Sequence, residues 1–96
     1  VQPGPGVVRP TILRRPAPRY PEIARRTKRE ATVAVSVLVD ENGRVQDARI
    51  KSAKSGYGFD EAAIEAARRS TFKPATKNGV RVKMWYDLNI TFKPLG

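Results

Sequence analysis

The run from Val80 to Phe92 constrains this chain more than any other stretch. Val80, Val82, Met84, Tyr86, Leu88, Ile90 and Phe92 fall on every second position, with Arg81, Lys83, Trp85, Asp87, Asn89 and Thr91 between them. A period of two is that of a β-strand with one buried and one solvated face. Strands usually run about five or six residues. Part of this one is therefore expected to extend past its neighbours, leaving backbone N–H and C=O groups without ladder partners. An unpaired edge of that kind is a surface on which another chain can dock.

The partner strand is legible from charge. Ala31 to Val39 carries no charged residue, and Val33, Val35, Val37 and Val39 alternate with Thr32, Ala34, Ser36 and Leu38. This suits a central strand with neighbours on both edges. Asp40-Glu41-Asn42-Gly43 is a hairpin signal. The return strand runs from Arg44 to about Ser52, and its apolar positions Val45, Ala48 and Ile50 slip parity once. A β-bulge near Gln46 and Asp47 accounts for the slip.

Two helices are predicted. One starts at Tyr20-Pro21-Glu22, lasts about two turns and can turn Ile23, Ala24 and Thr27 inward. The other spans Phe59 to Ser70, with Asp60 and Glu61 in its first turn, Arg68 and Arg69 in its last, and a stripe at Phe59, Ala63, Ile64, Ala66 and Ala67. Pro74 is expected to stop it, and Lys77-Asn78-Gly79 to turn the chain into the final strand. Residues 1–18 read as a Pro-rich linker or arm ahead of a folded domain at 19–96. Within the arm, Val7-Val8 and Thr11-Ile12-Leu13 are apolar clusters able to lie as short edge strands. The chain opens on Val1-Gln2-Pro3-Gly4, which suits the end of a linker from a longer protein. The expected class is α+β in the order helix-strand-strand-helix-strand. Its antiparallel three-stranded sheet has order 2-1-3, with both helices on one face and Val80 to Phe92 at an edge.

Composition narrows the chemistry. With 96 residues, no cysteine and no histidine, the chain has no disulfide framework, no Cys/His zinc site and no neutral-pH imidazole base. No cofactor or metal is expected. A net charge of +10 favours polyanions or acidic partners. Arg14, Arg15, Arg19, Arg25, Arg26, Lys28 and Arg29 form a basic run, which reads as a solvated face rather than a specific nucleic-acid site. Stacking aromatics are scarce: only Trp85 and Tyr57 could serve. Trp85 lies on the polar parity of its strand and reads either as covered by a terminus or partner, or as a surface aromatic.

Ser70-Thr71-Phe72-Lys73 has the S-x-x-K spacing of penicillin-recognising serine enzymes. Here the serine sits at a helix end, and no S-D-N-like or K-T-G-like element accompanies it. The Asp40 turn lacks the glycine position and the bidentate Glu of a calcium loop. Gly56-Tyr57-Gly58 lacks the third glycine and the lysine of phosphate loops. An enzyme is not expected.

Pro18-Arg19-Tyr20-Pro21-Glu22-Ile23-Ala24, Val39-Asp40-Glu41-Asn42-Gly43-Arg44-Val45, Phe59-Asp60-Glu61-Ala62-Ala63-Ile64-Glu65-Ala66, Phe72-Lys73-Pro74-Ala75 and Asn78-Gly79 follow one another in this order. Over about Arg15 to Phe92, this succession resembles the C-terminal domain of TonB-family energy transducers. Ala17 stands where the best-studied members carry Gln, and Glu30-Ala31 where members commonly have Glu-Gly. The resemblance implies a periplasmic domain of a protein anchored in the inner membrane of a Gram-negative bacterium, driven by the ExbB-ExbD motor. It further implies binding to the TonB box of outer-membrane transporters that import siderophore-bound iron or cobalamin. The box would add as a strand along Val80, Arg81, Val82, Lys83, Met84, Trp85, Tyr86, Asp87, Leu88, Asn89 and Ile90, with a secondary contact at Pro18, Arg19, Tyr20 and Pro21. Edge pairing also admits a homodimer. The rivals are a TolA-like or peptidoglycan-associated envelope domain and a small basic RNA-binding module. A specific nucleic-acid partner is not expected.

Overall fold

The computed structural model describes residues 3–52 and 56–93. Positions 1–2 and 94–96, which the expected linker and domain include, lie outside them. The elements in chain order are β1 (Val7–Val8), β2 (Thr11–Arg14), α1 (Glu22–Arg26), β3 (Ala31–Val39), β4 (Val45–Ile50), α2 (Phe59–Arg68), β5 (Thr71–Lys73), β6 (Ala75–Lys77), β7 (Val80–Val82) and β8 (Met84–Phe92).

The central sheet is antiparallel with order β4-β3-β8, which is the expected second, first, third strand order. The charge-free strand is the middle one. Val33, Val35, Val37 and Val39 are all buried on one face, against Ala63, Ala66 and Ala67 of α2 and Ala24 of α1. The α+β class and the placement of both helices on one face therefore hold. Phe59 and Phe92 meet with ring centroids 4.9 Å apart and close one end of this core. Each such buried side chain contributes on the order of 1.5–3 kcal/mol of transfer free energy.

The β3–β4 register slips between Leu38 and Val39: Leu38 faces Asp47 while Val39 faces Val45, so Gln46 is the extra residue of a bulge. That is the predicted parity slip, in place. In the hairpin turn, Oδ1 of Asp40 accepts the N–H groups of Asn42 and Arg44, both at 2.9 Å. Of Asn42 and Gly43, only Gly43 takes a positive φ, at 79°. A Cβ on Gly43 would lie 1.9 Å from the carbonyl oxygen of Phe72, so glycine is required by space as well as by φ.

Several expectations are corrected. Val80 to Phe92 is not one strand: it breaks at Lys83, and the part beyond the central sheet is not left unpaired. Val80–Val82 turns back on Ala75–Lys77 in a two-residue hairpin, because Asn78 and Gly79 take φ of 52° and 82° as a type I′ turn demands. Pro74 does not stop α2. The helix ends at Arg68, with Arg69 and Ser70 closing the last turn through bonds to Glu65, Ala66 and Ala67 carbonyls, and Pro74 lies between two strands. The first helix is shorter than two turns, and it buries Ala24 alone, leaving Ile23 exposed. A five-residue helix has room for a single fully inward position, which Ala24 takes.

The arm is structured. Both of its apolar clusters form strands, β1 against β6 and β2 against β5. Val7 faces Lys77, Val8 faces Thr76, Thr11 faces Lys73 and Ile12 faces Phe72 in one register, which shifts by one residue only beyond Ile12, where Arg14 faces Thr71. That register sets Pro10 opposite Pro74. Neither has an N–H to give, so the ladder is interrupted there and resumes on the far side.

Candidate functional site

The outer edge of β8 is the site the sequence singles out. All nine of its residues, Met84 to Phe92, pair one to one with Val39 to Ala31 without a bulge. Which backbone groups this leaves unused follows from β3. The Ala34 carbonyl accepts from the Lys51 N–H at 2.8 Å, and the Ala34 N–H donates to Ser52 Oγ at 3.2 Å, so the backbone of Ala34 faces the β4 side. By alternation Val33, Val35 and Val37 face β8, and they bond to Ile90, Leu88 and Tyr86. The N–H and C=O groups of Trp85, Asp87, Asn89 and Thr91 therefore point away from the sheet.

The side chains of the edge divide by face. Met84, Leu88, Ile90 and Phe92 are buried in the core, and Tyr86 is half-buried with its ring 5.4 Å from that of Phe72. Trp85, Asp87, Asn89 and Thr91 lie on the open face of the sheet. There Lys51 Nζ reaches Asp87 Oδ2 at 2.5 Å across β3. That hydrogen bond holds the Asp87 carboxyl below its ordinary value; desolvation opposes it, and the charge of Lys51, a hydrogen bond with Ser36 and the charge of Arg9 add to it. The Arg49 guanidinium sits 5.3 Å above the Trp85 ring, which is 41 % exposed. Trp85 is thus a surface aromatic capped by Arg49, with no terminus over it among the described residues. Val80 and Arg81 are exposed, Val82 is half-buried, and Lys83 is exposed at the break between β7 and β8.

The predicted secondary residues sit at the same end of the sheet. Tyr20 packs edge-on against Phe59 and Phe92, at 6.0 Å from each, and its hydroxyl donates to the Arg29 carbonyl. It anchors the chain to the core, while Arg19 is exposed and Pro18 and Pro21 are half-buried. Sequence reasoning missed Arg15 and Pro16. With Pro18 they flank Leu88, Asn89, Ile90 and Thr91, and together with Ala66 and Ser70 they enclose a cavity of about 180 Å³. No backbone hydrogen bond joins this segment to β8 among the described residues. Pro16 and Pro18 have no N–H, so the segment lies along the edge without extending the ladder. Their prolines were the available signal, but nothing local says which edge a proline segment covers.

The two residues of the S-x-x-K spacing lie in different environments, Ser70 buried and Lys73 exposed. Just past the end of α2 the Ser70 hydroxyl donates back to the Ala66 carbonyl, and Lys73 lies on β5. Among the described residues no cluster of metal-ligating side chains occurs.

Residues 16–94 match the family described as the C-terminal domain of the Gram-negative bacterial TonB protein. The protein tonB2 of Pseudomonas aeruginosa is 32 % identical over 81 residues, covering 84 % of this chain and 30 % of the relative. The TonB protein of Escherichia coli is 32 % identical over 83 residues, covering 85 % of this chain and 35 % of that protein. The chain thus spans about a third of the length of such relatives. The solution structure of the Pseudomonas aeruginosa TonB C-terminal domain superposes with a TM-score of 0.68 at 23 % identity, covering 94 % of this chain and 88 % of that one, which supports the fold.

Proposed function

From the premise that this chain belongs to the Gram-negative TonB C-terminal family, we propose that it is a periplasmic coupling domain that binds outer-membrane transporters by strand addition on β8. The observation that carries the reading is the outward row of backbone groups at Trp85, Asp87, Asn89 and Thr91. An extended transporter segment supplies the complementary N–H and C=O groups. Backbone bonding tolerates sequence variation, while Arg81 and Lys83 at the flank favour acidic residues in the added strand. Residues Val80 to Val82 already pair with β6, so the docking rail is Met84 to Thr91 rather than the whole run. Tyr20 and its prolines, next to Phe92, are the secondary contact.

The domain performs no catalysis on this reading. It transmits work from an ExbB-ExbD motor, through an inner-membrane anchor outside this chain, to transporters for siderophore-bound iron, cobalamin or similar nutrients. An added strand pulled along its length loads its hydrogen bonds together, which suits it to carry tension.

The test is an NMR titration of the isotope-labelled chain with a peptide from the TonB-box region of such a transporter. Amide shifts are expected along residues 84–92, with hydrogen exchange slowed at Trp85, Asp87, Asn89 and Thr91. Exchange at Tyr86, Leu88 and Ile90 is expected to be slow before and after. Saturable binding that leaves those four amides unprotected would overturn strand addition, and doubling of the particle mass without peptide would replace it with self-pairing.

A further inference from the structure

The charge of this molecule is divided unequally. Residues 3–21 carry four arginines and residues 66–86 carry six lysines and arginines, without one Asp or Glu in either segment. The remaining nine cations are matched by nine carboxylates, so the whole formal net charge of +10 resides on these two segments. They are also the two segments that pair with each other, through β1 with β6 and β2 with β5. The ion pairs of Arg26, Arg49 and Lys51 lie on other parts of the chain, and within this region Arg69 pairs with Glu65.

The same region carries most of the exposed apolar side chains. Val8 is 62 %, Leu13 is 68 % and Val80 is 66 % exposed, and Trp85 is the fourth of six such residues found among the described ones. The β1-β6-β7 sheet follows on from β8 at Met84, opposite the end of β3 at Val39, so it continues past the central sheet in a body 49 Å long and 23 by 20 Å across.

We propose that the cationic, aliphatic end built by residues 7–14 and 71–82 docks on an anionic phospholipid surface. Cations near such a surface attract its headgroups, and exposed aliphatic side chains among them enter the headgroup boundary. A soluble polyanion leaves the aliphatic side chains without a role. Single-stranded nucleic acid calls for exposed stacking aromatics, and the one tryptophan here is capped by Arg49. The proposal goes beyond strand addition and does not depend on it.

The experiment measures partition of the chain onto phosphatidylcholine vesicles with and without phosphatidylglycerol, by co-sedimentation. Binding is expected only with phosphatidylglycerol. Lys73→Glu/Lys77→Glu should weaken it by about tenfold or more. Arg25→Glu/Arg26→Glu, with the same change in net charge but on the balanced part of the chain, should weaken it by less than about twofold. Val8→Ser/Leu13→Ser, which leaves the charge unchanged, should weaken it by about fivefold. All these positions are exposed, and urea unfolding checks that each variant is folded. Equal losses for the two charge reversals would overturn the assignment of place. No loss for Val8→Ser/Leu13→Ser would overturn the bilayer as partner, as would tighter binding to RNA or to an acidic peptide than to vesicles at equal ionic strength. Peptide titration on β8 reads out separately, since none of these residues lies on it.

Discussion

The two edges of the central sheet are protected in opposite ways. The β4 edge is six residues long, carries the Gln46 bulge and presents exposed or half-exposed charge at Asp47, Arg49 and Lys51. A bulge twists an edge out of register with any straight strand, and it cannot be removed without refolding the hairpin. The β8 edge is nine residues long and unbulged. Its cover is Arg15 to Pro18, a segment that lies beside it without bonding to its backbone. One edge is disrupted by its own backbone conformation and the other is flanked by a separate segment. That difference leaves β8 as the straight edge, with no backbone bond to its cover among the described residues.

The largest expected effect separates the inward and outward faces of β8. Leu88→Pro removes an N–H bonded into β3 and places a rigid ring in the core, and should destabilise the chain by about 3 kcal/mol or more in urea unfolding. Asn89→Pro removes an N–H that points outward, as proline does on natural edge strands, and should cost about 1 kcal/mol while abolishing slowed exchange on peptide addition. Equal destabilisation by the two would mean that the outward row is not free, and the contrast between the edges would fall.

A smaller effect tests the cover. Pro16→Ala/Pro18→Ala supplies two new N–H donors beside Leu88 to Thr91. The segment can then begin to pair, so exchange at Asn89 and Thr91 should slow and peptide affinity should drop by about two- to fivefold, a competition worth under about 1 kcal/mol. Unchanged affinity would show that the cover does not compete for the edge.

The smallest effect concerns the open face that both edges share. The Asp87 carboxyl is held below its unfolded value mainly by the hydrogen bond from Lys51. A depressed folded value stabilises the chain above the unfolded carboxylate range, near pH 4, and the gain is lost as pH falls through the folded value. The pair is more than half exposed on both sides, so the gain is below about 0.5 kcal/mol. Lys51→Met should lower the urea midpoint slightly at neutral pH, and the gap from the parent should close in acid. A gap that persists in acid would assign the loss to the lysine stem instead.

The central architecture was legible because it is written as periodicity. Val33 to Val39 and Met84 to Phe92 alternate over long runs, the slip between Val45 and Ala48 marked the bulge, and the small-residue stripe of α2 appeared at helical spacing. Asn78-Gly79 marked a turn, but the sequence around it did not disclose that the turn closes a hairpin. Strands of two to four residues, such as Val7–Val8 and Ala75–Lys77, are too short to show a period, and they form only because each finds the other. For the same reason Val80 to Val82 read as a continuation of β8: alternation continues through Lys83 although the pairing partner changes there. The edge position of β8 could be read from the charge-free neighbour. Its cover could not, since Arg15 to Pro18 reaches β8 only through tertiary anchors at Arg14 and Tyr20.

Pro10 standing opposite Pro74 makes the seam between the arm and the body a perforated one. Tension applied through Val7 first parts the two pairs at Lys77 and Thr76, then meets a gap with no proline N–H bond left to break. The tear can halt there, with Thr11 to Arg14 still fastened to β5. The four residues Val7 to Pro10 are released by that first step, which at roughly 3.3 Å each gives about 13 Å of slack. A pull that outlasts that length next loads the β2–β5 pairing, which stands between it and the segment beside Leu88 to Thr91.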